Sequence, residues 1–354
     1  MRVLVVALVL LLAACTEPPP PQPVPPDPEP GPLAGAPAPA GLRLLFATAP
    51  PVVFDVGTGV ATPVPAAPPG DRLTSVFRAG STSVLLSAER CGATCVQPAE
   101  IFLLDGPHAR SIGQARSAAP TADGRGLWLV RHEGEVCRLV RAGLDGTETS
   151  LTRPSSCDTG VRAETSAGLL ITVRANRQSE QSAQDVLVDP ATGRTLRQRG
   201  RVLGMAGDQV LFTELTGFTL LDQRTGVEQP LPDPLPSGEP GDALTSPDGR
   251  YLAVPFGDPA WRGTSTQVFD VWLLDLAARR WIRAPSMPVS ARLKHQAVDW
   301  APDGSLVLAG ALGPRSASGD PATVVGRWQP GAEQWQVAQV RLPENRGQSM
   351  VVLS

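Results

Sequence analysis

Val53-Phe54-Asp55-Val56-Gly57-Thr58-Gly59 is an apolar strand that runs into an aspartate and then a glycine-rich turn. Gly supplies the positive φ that tight hairpin turns require, and Asp caps such a turn through its side chain. The unit returns as Leu103-Leu104-Asp105-Gly106, as Gly143-Leu144-Asp145-Gly146 and as Leu187-Val188-Asp189-Pro190-Ala191-Thr192-Gly193. Leu220-Leu221-Asp222-Gln223-Arg224-Thr225-Gly226 and Leu273-Leu274-Asp275 follow, and Arg327-Trp328-Gln329-Pro330-Gly331 is a degenerate seventh copy.

Successive copies are on average about 46 residues apart, the length of a four-stranded propeller blade. Around them lie short runs rich in Val, Leu and Ile, among them Leu42–Phe46, Val84–Ser87, Ile101–Leu104, Leu127–Val130 and Leu169–Val173. Further runs are Val210–Thr213, Leu252–Val254, Val271–Leu274 and Leu306–Leu308, and no long helical period appears. Many short, evenly spaced strands define an all-β sandwich, barrel or propeller. The repeat selects a β-propeller of seven four-stranded blades over residues 42–354. Ser349–Leu353 is left over after the seventh blade and is expected to return to the first, removing the free sheet edges.

A second unit is Ser246-Pro247-Asp248-Gly249-Arg250, repeated as Ala301-Pro302-Asp303-Gly304-Ser305 and more weakly as Thr121-Ala122-Asp123-Gly124-Arg125. It resembles the Ser-Pro-Asp-Gly hairpin of WD40-like propellers, as in the TolB family. The Asp-x-x-Thr-Gly turns also resemble quinoprotein-type repeats, but Val60, Leu196 and Glu228 occupy the region where that family carries a tryptophan. Both resemblances imply a propeller, and a propeller alone assigns no function.

At the other end, Met1-Arg2 precedes an apolar run from Val3 to Ala14 that is too short to span a bilayer. Such a run closing on small residues reads as an export signal, residues 1–14. Leu12-Ala13-Ala14-Cys15 resembles the lipobox of bacterial lipoproteins, which implies cleavage before Cys15 and acylation of its thiol with palmitate-type chains. Two or three acyl chains make a nearly permanent anchor. Thr16 stands where the inner-membrane retention signal resembles Asp. The resemblance therefore implies an extracytoplasmic protein on the outer membrane, or on the outer face of the plasma membrane where there is no second one. Residues 16–41 hold twelve prolines and no aromatic or basic residue. That composition predicts an extended linker rather than a packed element; a proline-motif ligand is the sharper alternative.

Four cysteines follow, Cys91, Cys95, Cys137 and Cys157. An even number outside the cytoplasm points to disulfides. Cys91–Cys95 and Cys137–Cys157 are the favoured pairs because each closes a short loop, with a four-cysteine metal site as the alternative. His132-Glu133-Gly134-Glu135 offers metal-type donors but reads more simply as a polar hairpin tip after a strand. No motif for a nucleophile elbow, phosphate loop or zinc helix is present, so no catalytic residue and no cofactor or metal is assigned. Asp123, Asp248 and Asp303 occupy equivalent turn positions and read as caps, not as a carboxylate set. Trp261, Arg262 and His295 are the candidate binding residues: an aromatic beside a cation can anchor a peptide or sugar, and His295 lies between Lys294 and Asp299. Trp272, Trp300 and Trp328 sit in strand-like stretches and are expected to pack between blades.

The chain of 354 residues carries a formal charge of −3. Three acids and one arginine lie before Leu42, so the propeller is close to neutral. It has no field to attract nucleic acid or anionic lipid. The leading reading is a monomeric, lipid-anchored scaffold that binds a protein or ligand in the cell envelope, comparable to the propeller lipoprotein of the outer-membrane barrel assembly machine. The alternative is an extracytoplasmic enzyme acting on a glycan or small alcohol at the axial opening.

Overall fold

The computed structural model describes residues 35–37, 41–48, 50–64, 72–80, 83–91, 95–105, 108–134, 136–174, 183–214, 217–234, 238–257, 266–285, 289–292, 297–311, 323–343 and 349–353. All their regular structure is β-strand, and no helix among them is long and apolar enough to cross a membrane. The export signal, Cys15, Trp261, Arg262 and His295 lie outside the described residues.

The chain opens with β1 (Gly35–Pro37), then β2 (Arg43–Phe46), β3 (Val52–Asp55) and β4 (Val60–Pro63). Blade 2 is β5 (Arg72–Ala79), β6 (Ser83–Cys91), β7 (Cys95–Asp105) and β8 (His108–Ala115). Blade 3 is β9 (Ser117–Pro120), β10 (Gly126–Glu133), β11 (Val136–Gly143) and β12 (Glu148–Ser155). Blade 4 is β13 (Thr159–Thr165), β14 (Gly168–Arg174), β15 (Ala183–Val188) and β16 (Thr195–Arg199). Blade 5 is β17 (Arg201–Ala206), β18 (Gln209–Glu214), β19 (Gly217–Asp222) and β20 (Glu228–Leu231). Blade 6 is β21 (Leu244–Thr245), β22 (Tyr251–Gly257), β23 (Thr266–Asp275) and β24 (Arg280–Arg283). After β25 (Val289–Arg292), blade 7 is β26 (Ala297–Trp300), β27 (Leu306–Ala311), β28 (Thr323–Trp328) and β29 (Trp335–Val340). The last strand, β30 (Met350–Val352), joins blade 1 as its innermost member, in the order β30-β2-β3-β4. The result is a ring of seven four-stranded antiparallel blades, as the repeat requires.

Closure follows the route expected for Ser349–Leu353. Leu44, Leu45 and Phe46 pair antiparallel with Val352, Val351 and Met350. β30 also reaches both neighbours. The Ser349 hydroxyl accepts from the Val76 amide of β5 at 2.9 Å, and the Val352 amide donates to Asp299 of β26 at 2.8 Å.

The same device recurs around the ring. Ser117 of β9 accepts from the Val161 amide of β13 at 2.9 Å. Asp185 of β15 accepts from the Val202 amide of β17 at 2.7 Å. An innermost strand lacks a partner on its axial side, so its inward amides would otherwise be buried unpaired, at a cost of about 1–3 kcal/mol each. A side chain from the preceding blade satisfies them.

The core lies between blades. Leu203, Leu211 and Phe218 of blade 5 pack against Leu252, Phe256 and Trp272 of blade 6. Trp300, Trp328 and Trp335 share a cluster with Ala253 and Leu273 of blade 6, in line with the packing role expected of Trp272, Trp300 and Trp328. Between blades 2 and 3 the backbones nearly touch. A Cβ on Gly124 (φ +65°) would lie 2.5 Å from the Gly80 Cα, so the Asp-Gly turn there admits no side chain.

Two features differ from the sequence expectation. Gly35–Pro37, within the stretch read as a free linker, pairs parallel with Trp335–Val337 on the outer edge of blade 7, so ordered chain begins upstream of Leu42. Pro37 is tolerated there because an edge strand leaves its nitrogen facing away from the ladder. In addition, β25 pairs with both β23 and β27 and stitches blades 6 and 7 into one ten-stranded sheet.

Candidate functional site

In a ring of four-stranded meanders, first-to-second and third-to-fourth connections leave on one face. Second-to-third and blade-to-blade connections leave on the other. Every turn of the two repeated sequence units falls on the first face. Asp55 accepts from the Thr58 amide and hydroxyl at 2.8 and 2.9 Å. Asp189 does the same with Thr192, and Asp145 with Thr147. Asp222 accepts from the Thr225 amide. In the second unit, Asp123 binds the Thr121 hydroxyl and the Arg125 amide, and Asp248 binds the Ser246 hydroxyl and the Arg250 amide. Asp303 binds the Ser305 amide and hydroxyl. These are the caps that the sequence predicts.

The caps make these carboxyls stronger acids. Turn amides, followed by hydroxyls, hold Asp55 and Asp145 below the ordinary carboxylate range, and the Thr225 amide does so for Asp222. For Asp123, Asp189 and Asp248 the turn hydroxyl contributes most.

The opposite face carries the connections that vary. Trp261 and Arg262, between β22 and β23 in the chain, and His295, before β26, lie outside the described residues. Asp299, close to His295 in sequence, is engaged elsewhere. It accepts from Val352 and stands 3.9 Å from Arg78 of β5. Burial pushes its carboxyl up to about 6, against the pull of the Val352 amide and Arg78. It belongs to ring closure. Asp242, before β21, receives Arg162 of β13 at 3.1 Å and Arg201 of β17 at 3.4 Å, which links three innermost strands. No histidine lies on an innermost strand among the described residues.

The β10–β11 hairpin and the β12–β13 connection meet on this face. Cys137 and Cys157 form a disulfide with Cα atoms 5.0 Å apart, which fastens blade 3 to the entry of blade 4. Cys91 and Cys95 face each other in the β6–β7 ladder; their side chains lie outside the described residues. His132 does not sit beyond a strand end with Glu133. It is part of β10, opposite Cys137 in the ladder. Glu133 pairs instead with Arg138 at 2.9 Å. The imidazole and the two sulfurs Cys137 Sγ and Cys157 Sγ lie within 4.8 Å of one another. Sequence proximity joined His132 to acids. Strand register, which a linear reading does not supply, joins it to sulfur.

A second buried acid lies in blade 6. Asp270 accepts from Arg283 at 2.8 Å, and burial pushes its carboxyl up to about 6. The two sets of carboxyls oppose each other on titration. The capped turn aspartates stabilise the fold above their ordinary pKa of 3.8, and that stability is lost as pH falls through their lower folded values. Asp270 and Asp299 keep their protons longer when folded, so stability falls as pH rises from about 4 to 6 and is level above that. Thermal stability should therefore peak near pH 4, with a decline by pH 7 on the order of 1–3 kcal/mol per buried acid. Asp299→Asn keeps an acceptor for Val352 and should flatten the decline. A slope unchanged in that variant would assign the pH dependence elsewhere.

The sequence matches no family model and no curated protein. Solved structures share the fold. TolB from Acinetobacter baumannii is 11% identical over 88% of this chain and 66% of its own, with a TM-score of 0.48. An oligogalacturonate lyase in complex with manganese is 14% identical over 83% of both chains, at 0.44. Puromycin hydrolase is 19% identical over 82% of this chain and 51% of its own, at 0.45. The neighbours thus include TolB-like propellers and propeller enzymes, and at these identities the likeness extends to the fold alone.

Proposed function

We propose that the chain is an extracytoplasmic lipoprotein, tethered through Cys15, whose propeller binds an envelope protein or ligand on the face of its longer connections. The observation that carries the reading is the contrast between the two faces. One consists of tight turns whose carboxylates are committed to capping. The other carries the second-to-third and blade-to-blade connections of a closed ring. Rigid presentation of variable loops lowers the ordering cost of binding.

Val136 and Val60 allow a direct test, because both are exposed, at 57% and 54%, and they lie on opposite faces. A photo-crosslinking residue at position 136 in intact native cells should give discrete adducts with an envelope protein, and one at position 60 should not. Equal adducts from both faces, or none from position 136, would remove the scaffold reading. Labelled palmitate should enter the wild type and not Cys15→Ser; label in neither would remove the tether. Turnover of a glycan by the purified protein, lost on replacing acids beside the innermost strands such as Asp242, would establish the enzymatic alternative instead.

A further inference from the structure

We propose that His132, Cys137 and Cys157 form a redox-gated site for a zinc-class divalent cation: a disulfide when oxidised, a three-ligand metal centre when reduced. The donors come from two segments that the fold holds together independently of the disulfide. His132 and Cys137 are ladder partners on β10 and β11, and Cys157, in the connection before β13, packs against the apolar cluster of Ala119, Cys137 and Leu139. All three donor atoms already lie within 4.8 Å of one another. A tetrahedral zinc ion with bonds of about 2.3 Å to sulfur and 2.0–2.1 Å to nitrogen requires donor separations of about 3.5–4 Å. The two sulfurs separate from 2.05 Å in the disulfide, and the imidazole starts within 4.8 Å of both.

One imidazole and two thiolates are the borderline-soft donors that favour zinc over calcium or magnesium. Burial is graded usefully: Cys137 is closed off in the hairpin, Cys157 is half-buried and His132 is exposed, which gives an ion a path in. With three protein ligands the fourth position stays open to water or to a partner's side chain.

The chemistry balances. A dithiol reductant gives two electrons and two protons to the Cys137–Cys157 bond and leaves as its own cyclic disulfide. The cation then displaces the two thiol protons, which pass to solvent, and takes the lone pair of neutral His132. In either state blade 3 stays fastened to the entry of blade 4, first by sulfur–sulfur and then by sulfur–metal bonds.

The test uses full-length protein reduced with a phosphine, because dithiols themselves bind zinc. Reduced wild type should bind cobalt(II) with the charge-transfer and ligand-field bands of a tetrahedral thiolate site, and zinc should displace it. Zinc should also shield Cys137 and Cys157 from alkylation, as read by mass spectrometry, which separates them from Cys91 and Cys95. His132→Ala, an exposed replacement, should weaken cobalt binding by at least about tenfold and abolish the shielding. The proposal is overturned if the oxidised protein binds equally well, if the reduced protein binds no cobalt, or if His132→Ala leaves affinity and shielding unchanged.

Discussion

Removing residues 348–354 should lower the melting temperature by many degrees and raise the susceptibility of the chain to proteolysis. Met350, Val351 and Val352 are 5%, 2% and 0% exposed, and burying side chains of this size contributes about 1.5–3 kcal/mol each. The loss would be on the order of 5–8 kcal/mol, against a total stability of about 5–15 kcal/mol for an ordinary domain. The damage spreads because β30 serves three blades. Without it, Leu44–Phe46 lose a ladder partner, the Val76 amide loses the Ser349 hydroxyl and Asp299 loses the Val352 amide. Asp299 would then stand buried beside Arg78 with one fewer donor. Calorimetry of the truncated protein measures this directly. A melting curve identical to that of the full chain would show that β30 does not close the ring. Ser349→Ala isolates the smallest part of the effect, one hydroxyl, and should cost about 1 kcal/mol.

Trp300→Ala should be the most damaging single replacement between blades 6 and 7, at about 3–5 kcal/mol. The indole is 4% exposed, stacks on Tyr251 with ring centres 6.4 Å apart, and donates across the blade boundary to the Leu244 carbonyl at 2.9 Å. Alanine leaves a cavity in the cluster that also holds Trp328 and Trp335. Trp300→Phe keeps most of the volume and loses the donor, so it should cost markedly less. Denaturant titrations of the two variants separate packing from hydrogen bonding. Equal losses would mean that the Leu244 bond, and not the buried ring, carries the junction.

The features legible in the sequence are those written over a few neighbouring residues. An Asp that caps a turn meets its Thr partner two or three positions later, so the repeat announced both the turn and its chemistry. The disulfide between Cys137 and Cys157 was legible because it too closes a short loop. What stayed hidden depends on residues far apart in the chain. Ser349 meets Val76 across 273 positions, and Asp299 meets Val352 across 53. No local pattern marks such a serine or aspartate as a pin between blades. The parallel attachment of Gly35–Pro37 to β29 was hidden for another reason: a proline-rich composition indicates an extended chain and does not tell which sheet edge receives it. His132 shows the same limit at the candidate site, since its sulfur neighbours follow from register.

The strand that finishes blade 1 is translated only after six other blades. Until then Leu44–Phe46 must wait with one flank bare, and the nascent polypeptide has no complete circle to lock. Assembly order is thereby imposed by chain order, and the molecule acquires its final rigidity only when the late-made segment arrives.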